Sequence, residues 1–143
     1  MSAPWTSVAE IEALVQAFES CDLPAERWHH REHLTITCWY IAHYNDAEAL
    51  DRVQSGIQRF NAAKGIAQTR DGGYHETLTR FLFHCIRRCI DSGAADRLLD
   101  QTNAVLLEFV DWRHVAGRYY SRELMLSWEA RVSWLEPDLR PLD

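Results

Sequence analysis

The sequence predicts an all-α protein: a single-domain bundle of about five to six helices, with a proline-containing C-terminal tail packed on its surface. Apolar residues recur at helical spacing in five successive segments. Capping patterns precede two of these segments, and strand-type alternation is absent. A chain of 143 residues is long enough to bury one proper core, so one domain over residues 1–143 is expected.

The first three helices are predicted from apolar stripes and capping residues. Ser7 with Glu10, and Asn45 with Glu48, have the capping-box spacing. Gly65 is typical of a residue that ends a helix. The predicted helices cover about residues 7–20, 28–44 and 45–65.

Two further helices are predicted at about residues 74–92 and 95–109. Gly93 ends the first of them, and Asp71 is the expected N-cap if its start is ordinary cap chemistry. One or two short helices and a tail interrupted by prolines follow.

Composition and charge exclude some classes of function. The chain is 47% hydrophobic and 25% charged, as in ordinary globular proteins, and its net charge is −6. Nucleic-acid binding needs clustered cations, so no nucleic-acid partner is expected. The closest basic cluster is Arg80, Arg87 and Arg88, which we interpret as a solvated helix face.

No membrane partner is expected either. The longest uncharged apolar stretch, LTITCWYIAHYN at 34–45, is too short to span a bilayer, and MSAPWTS at the start is unlike a signal peptide. The four cysteines lie inside apolar patterns, and we interpret Cys85 and Cys89 as small buried thiols rather than zinc ligands. A reducing, cytoplasmic setting is therefore predicted.

Seven histidines are the unusual feature, and helical phase separates them. At about 100° per residue, His30 and His33 fall within or at the edge of the inward arc of the second helix. His75 falls in the middle of the inward arc of the fourth helix. The other histidines of these two helices lie on flanks or outer faces: His29, His43 and His84.

Three inward histidines suggest a shared polar pocket. Two imidazoles at i and i+3 with a third from a facing helix would suit one divalent ion, with zinc, nickel or iron as candidates. The ion would lower the pKa of bound water, and Glu76 would move protons, with His75 as a second catalytic residue. Glu32 and Asp71 are other possible acids. Alternatively, each histidine is simply hydrogen-bonded within the core.

Several segments resemble a group of small bacterial proteins that are helical by prediction and have no assigned function. They are WHHREHL (28–34), RFNAAKG (59–65), GYHETLT (73–79) and SWEARVSWLEPDLRPL (127–142). The shared pattern falls on Trp28, His30, His33, Leu34, Tyr74, His75, Glu76, Thr77 and Thr79, and it departs at Trp128. A looser similarity links the three histidines to metal-dependent helical bundles of the DinB type, although the spacing and order differ.

Three hypotheses for function follow. The first is a divalent-metal site on His30, His33 and His75 that supports hydrolytic or related chemistry. The second is a metal-free module that binds a small polar or anionic molecule, with Arg70, Tyr74 and Thr79 as ligand-binding residues. The third is a structural or interaction protein.

Overall fold

The computed structural model of the chain describes residues 4–93 and 95–143, and it confirms the all-α class. In those ranges the chain forms eight α-helices and one 3-10 turn (Ala25–Arg27). The helices are α1 (Val8–Glu19), α2 (His30–His43), α3 (Asp46–Ala63), α4 (Glu76–Ser92), α5 (Leu98–Glu108), α6 (Trp112–Ala116), α7 (Arg122–Met125) and α8 (Trp128–Val132).

The predicted number of five to six helices is too low, because the segment after α5 folds into three short helices. Each begins at a side chain that accepts a hydrogen bond from a backbone N–H of the first turn: Asp111, Ser121 and Ser127. Helices of four or five residues complete little more than one turn. Their ends are therefore set by capping and tertiary packing rather than by an apolar stripe.

Helices α1 and α3 begin as the capping patterns predict. The Ser7 hydroxyl accepts a hydrogen bond from Glu10 N at 3.3 Å, and the Glu10 carboxylate accepts one from Ser7 N at 3.2 Å. The Asn45 side chain accepts from Glu48 N at 2.9 Å. Gly65 follows the end of α3 with a φ of 69°, the left-handed conformation that glycine adopts without strain.

Helix α2 occupies the centre of the bundle, in contact with α1, α3, α4 and α5. Buried residues therefore lie on several of its faces: Glu32, Leu34, Thr35, Ile36, Thr37, Cys38, Tyr40 and Ile41. The packing of four helices around α2 fixes the direction in which its first turn points.

The C-terminal tail packs on the surface, as predicted. The Thr77 hydroxyl on α4 donates to Ser133 O at 2.7 Å and accepts from Leu135 N at 3.1 Å. The Tyr120 hydroxyl donates to Leu135 O at 2.7 Å. Further along, Leu139 N donates to Tyr119 O at 2.9 Å. These bonds hold the tail against α4 and the loop after α6.

The loop between α3 and α4 is held against α8. Gln68 Nε2 donates to the carbonyl oxygens of Tyr74 and Arg131 at 3.0 and 3.2 Å. Arg131, buried in α8, donates from Nη1 to Gly73 O at 3.0 Å. This loop carries Tyr74 and His75 into the bundle, so its conformation positions part of the site described below.

No helix in the described ranges is both long and apolar enough to cross a membrane. All four cysteines, Cys21, Cys38, Cys85 and Cys89, are free, and Cys38 is the buried one. Cys85 and Cys89 are half-buried, so the prediction that both are fully enclosed is only partly met.

Gly73 and Gly72 provide a matched pair for testing the loop. Gly73 has a φ of 81°, and a Cβ there would lie 2.3 Å from Ala67 O. We expect Gly73→Ala to lower the free energy of unfolding by about 2 kcal/mol or more, from left-handed backbone strain and this collision. At Gly72 a Cβ would meet only Thr69 Oγ1, at 3.8 Å.

Gly72→Ala should therefore change stability by less than about 0.5 kcal/mol. Urea denaturation of both variants measures the difference. Equal stabilities would show that the loop backbone is not constrained at Gly73.

Candidate functional site

A cavity of about 400 Å³ lies between α2, α3 and α4, and the three inward histidines line it. We call it the histidine cavity. Each helix contributes one stripe: His30, His33, Leu34 and Thr37 from α2; Val53, Ile57 and Asn61 from α3; Leu78, Thr79, Leu82 and Ile86 from α4. The remaining wall comes from Trp112 at the start of α6 and from connecting segments: Trp28, His29, Ile66, Gly73, Tyr74 and His75.

The structure thus places His30, His33 and His75 in the lining of one cavity. On α2 and α4 the lining positions recur at three- and four-residue intervals, whereas His75 lies just before the first residue of α4. The three rings are not equivalent in the structure, because each has different contacts.

His75 is the N-cap of α4 and joins this helix to α7. Its Nδ1 accepts a hydrogen bond from Leu78 N at 3.0 Å, and its Nε2 donates to Met125 O at 2.8 Å. The predicted N-cap, Asp71, is wrong. Helix α4 begins at Glu76, so its N-cap is His75, four residues after Asp71. Both nitrogens of His75 are therefore occupied, in one neutral tautomer.

Burial lowers the pKa of His75, and the Arg131 guanidinium lowers it further, against an opposing effect of the Met125 carbonyl. The neutral form is the one that the geometry requires. Nδ1 must keep a lone pair to accept from Leu78 N.

His30 joins α2 to the end of α5. Its Nε2 donates to Phe109 O at 2.9 Å, and its ring lies 6.1 Å from that of Trp112. Burial lowers the pKa of His30, the bond to Phe109 raises it, and the nearby Arg113 cation lowers it. One nitrogen of this ring is thus committed to the fold.

His33 differs from the other two. Its ring packs on Trp28 with centroids 4.0 Å apart, and neither ring nitrogen has a hydrogen-bond partner among the described residues. Burial and the neighbouring His30 lower its pKa to about 3. At neutral pH it therefore presents one N–H donor and one lone pair toward the cavity.

Asn61 is a second polar group without a partner. It is 7% exposed and lines the cavity, and its side-chain oxygen Oδ1 is buried with no hydrogen-bond partner in the described structure. Asn61 was not among the predicted site residues. The signal was available, because Asn61 falls in helical phase with Val53 and Ile57 on the apolar stripe of α3.

Glu76 lies outside the cavity lining, although it follows His75 directly. Its carboxylate accepts hydrogen bonds from Gln54 Nε2 at 3.1 and 3.2 Å and from the Tyr74 hydroxyl, and Arg80 approaches to 3.9 Å. The structure thus directs the Glu76 carboxylate toward α3, and it does not bring Glu76 to the histidines as a base.

The predicted ligand-binding residues are also separated. Tyr74 and Thr79 line the cavity, whereas Arg70 is exposed in the loop and lies outside the lining. Two other cations of the chain, Lys64 and Arg113, do not line the cavity either. Two other acids named from the sequence, Glu32 and Asp71, are absent from the lining as well, and Glu32 instead accepts from His29 N at 3.0 Å.

No protein-family model, curated protein or solved structure matches the chain. The resemblance to small bacterial proteins therefore stays a prediction, and the site has to be interpreted from its own geometry.

The role of His75 as a cap gives a testable stability effect. His75→Ala should lower the free energy of unfolding by about 2 kcal/mol, from loss of the cap and of the bond to Met125. His75→Asn restores a good N-cap acceptor but cannot reach Met125, so it should recover about half of that loss. Chemical denaturation measures both, and equal losses would show that the cap contributes little.

The state of His33 gives a pH effect. In the folded protein the pKa of His33 lies below the ordinary value of 6.5. The neutral ring therefore contributes fully to stability above pH 6.5, and this contribution is lost as the pH falls toward about 3. Between pH 6.5 and 5, His33→Phe should reduce the slope of unfolding free energy against pH by up to about 1.4 kcal/mol per pH unit.

Denaturant titrations at pH 7, 6 and 5 measure these slopes. His43→Phe, at an exposed histidine of the same helix, is the matched control for the loss of an imidazole. Identical slopes for the wild type and His33→Phe would show that His33 is not held neutral by the fold.

Proposed function

We propose that the chain binds a small molecule in the histidine cavity, without a metal ion. The observation that carries this proposal is a cavity of about 400 Å³ that contains two polar groups without protein partners, His33 and Asn61. Ligand sites are typically mostly apolar clefts of this size with a few polar groups that orient the ligand.

Binding is favoured over acid–base catalysis by the groups that reach the cavity. An efficient general base has a pKa near the working pH, whereas that of His33 is lowered to about 3. His75 has no free nitrogen, and Glu76 bonds to Gln54 and Tyr74 outside the cavity. Neither member of the predicted catalytic pair, His75 and Glu76, therefore presents a free base to the cavity.

The metal hypothesis has less support than the metal-free one. In residues 4–93 and 95–143, no group of three His, Cys, Asp or Glu side chains is placed to hold a metal ion. A metal bound by His30, His33 and His75 would have to break one of the two hydrogen bonds of His75. A zinc, nickel or iron ion stays a prediction, with elemental analysis as its test.

A fragment screen against a cavity-filling variant tests the proposal. Small aromatic fragments should shift the indole N–H signals of Trp28 and Trp112, which line the cavity, in two-dimensional NMR spectra. Leu78→Trp, which enlarges a half-buried lining residue, should weaken their binding by at least about tenfold by occupying the space. Leu139→Trp adds the same group at a residue that is 56% exposed and should leave binding unchanged.

Two results would contradict the proposal. One is that no fragment shifts these signals, or that fragments bind equally to both variants. The other is that protein purified without a nickel column carries near-stoichiometric zinc, nickel or iron, in which case the metal hypothesis would replace it.

A further inference from the structure

The lining of the histidine cavity has no permanently charged side chain. Among the described residues that line it there is no Asp, Glu, Lys or Arg. Three charged side chains lie next to lining residues: Glu76 bonds to Gln54, Arg131 donates to Gly73 O, and Arg113 lies over the ring of Trp112. His30, His33 and His75 in the lining are neutral, since burial lowers the pKa of each.

A charged ligand would enter this cavity at a high cost. It would lose hydration without meeting an opposite charge, and the penalty for burying an unpaired ion far exceeds that for a neutral polar group. The lining therefore offers no ion a direct partner of opposite charge, and it selects most strongly against cations, because Arg113 and Arg131 lie close to His30 and His75. The small anionic molecule predicted from the sequence is disfavoured, and the small polar molecule is favoured.

Asn61 and His33 define the polar part of the ligand. The Asn61 oxygen is buried without a donor, and a buried acceptor without a hydrogen bond destabilises the protein until a donor is supplied. A ligand N–H would supply it. The neutral ring of His33 provides a donor and an acceptor, so the two residues together suit a group that carries both an N–H and a C=O.

The aromatic walls define the rest of the ligand. Trp28, Tyr74 and Trp112 line the cavity, with aliphatic side chains between them. Trp28 is fixed in place between Phe18 and His33, with ring centroids 4.9 and 4.0 Å away. A mostly apolar ligand that carries an aromatic ring can make edge or face contacts with such a wall.

From these observations we infer that the ligand of the histidine cavity is an uncharged planar molecule with an amide-type group, which contacts Asn61 and His33. This inference rests on the proposed function, since it names the class of molecule that the same cavity binds.

Benzamide, benzoate and benzamidine test the inference directly. The three probes have nearly the same size and shape, but they are neutral, anionic and cationic at neutral pH. NMR titration should show that benzamide binds at least about tenfold more tightly than either ion, because only the ions lose hydration uncompensated. Tighter binding of benzoate or benzamidine in the cavity would overturn the inference.

Substitutions at Asn61 test whether this residue contacts the bound probe. Asn61→Leu keeps the shape of the side chain without its polar group, and it should reduce benzamide affinity at least about tenfold. Asn61→Asp introduces a buried carboxylate and should reverse the preference in favour of benzamidine. Gln58→Leu is the matched control on the exposed side of α3, and it should bind all three probes as the wild type does.

Thermal denaturation of each variant shows whether it is folded at the titration temperature. His33→Phe is the second probe of the polar contact and should also weaken benzamide binding. Unchanged selectivity in Asn61→Asp together with unchanged benzamide affinity in His33→Phe, with the fold retained, would overturn the inference.

The outcomes separate the two proposals. If charged fragments bind in the cavity and Leu78→Trp removes them, the cavity is a binding site and only the ligand class is wrong. If neither these probes nor the fragment library bind, the proposed function itself fails.

Discussion

The burial of α2 on several faces is the constraint on which the rest of the structure depends. Polar side chains on a buried helix need partners inside the protein, and those of α2 have them. The hydroxyls of Thr35 and Thr37 donate to carbonyls one turn earlier, and the Tyr40 hydroxyl donates to Glu19. His30 donates to Phe109 O. His33 is the exception, and this exception distinguishes a lining group from a structural one.

Sequence periodicity predicted most of the framework because α1, α3 and α4 are amphipathic and well capped. Val53, Ile57 and Phe60 are buried on α3, as their spacing indicated. On α4, the stripe from Leu78 to Ile86 faces the bundle core and the cavity. Helix α2 was harder to interpret from the sequence, because the inward arc predicted for it is only one of its buried faces. The arc that contains His30 and His33 is the one that lines the cavity with α3 and α4.

What sequence reasoning could not supply was the partner of each side chain. In the segment YHETLT at 74–79, consecutive residues point to different elements: Glu76 to α3, Thr77 to the C-terminal tail, and Thr79 to the cavity. Gln54 lies 22 residues from Glu76 along the chain, and the two tail residues bonded to Thr77 lie 56 and 58 residues from it. Local patterns carry no information about contacts of that separation, so a His–Glu pair in sequence was interpreted as a pair in space.

The neutral state of the histidines links the fold to the proposed ligand. His75 caps α4 only while Nδ1 keeps its lone pair, and the proposed preference for an uncharged ligand requires that the rings in the lining carry no charge. Both conditions depend on burial without a neighbouring carboxylate, and Glu76 is held away by Gln54 and Tyr74. In the proposed function, the outward placement of Glu76 therefore keeps the rings in the lining neutral. A carboxylate beside His33 or His75 would favour the imidazolium, weaken the start of α4 and make the cavity a site for ions.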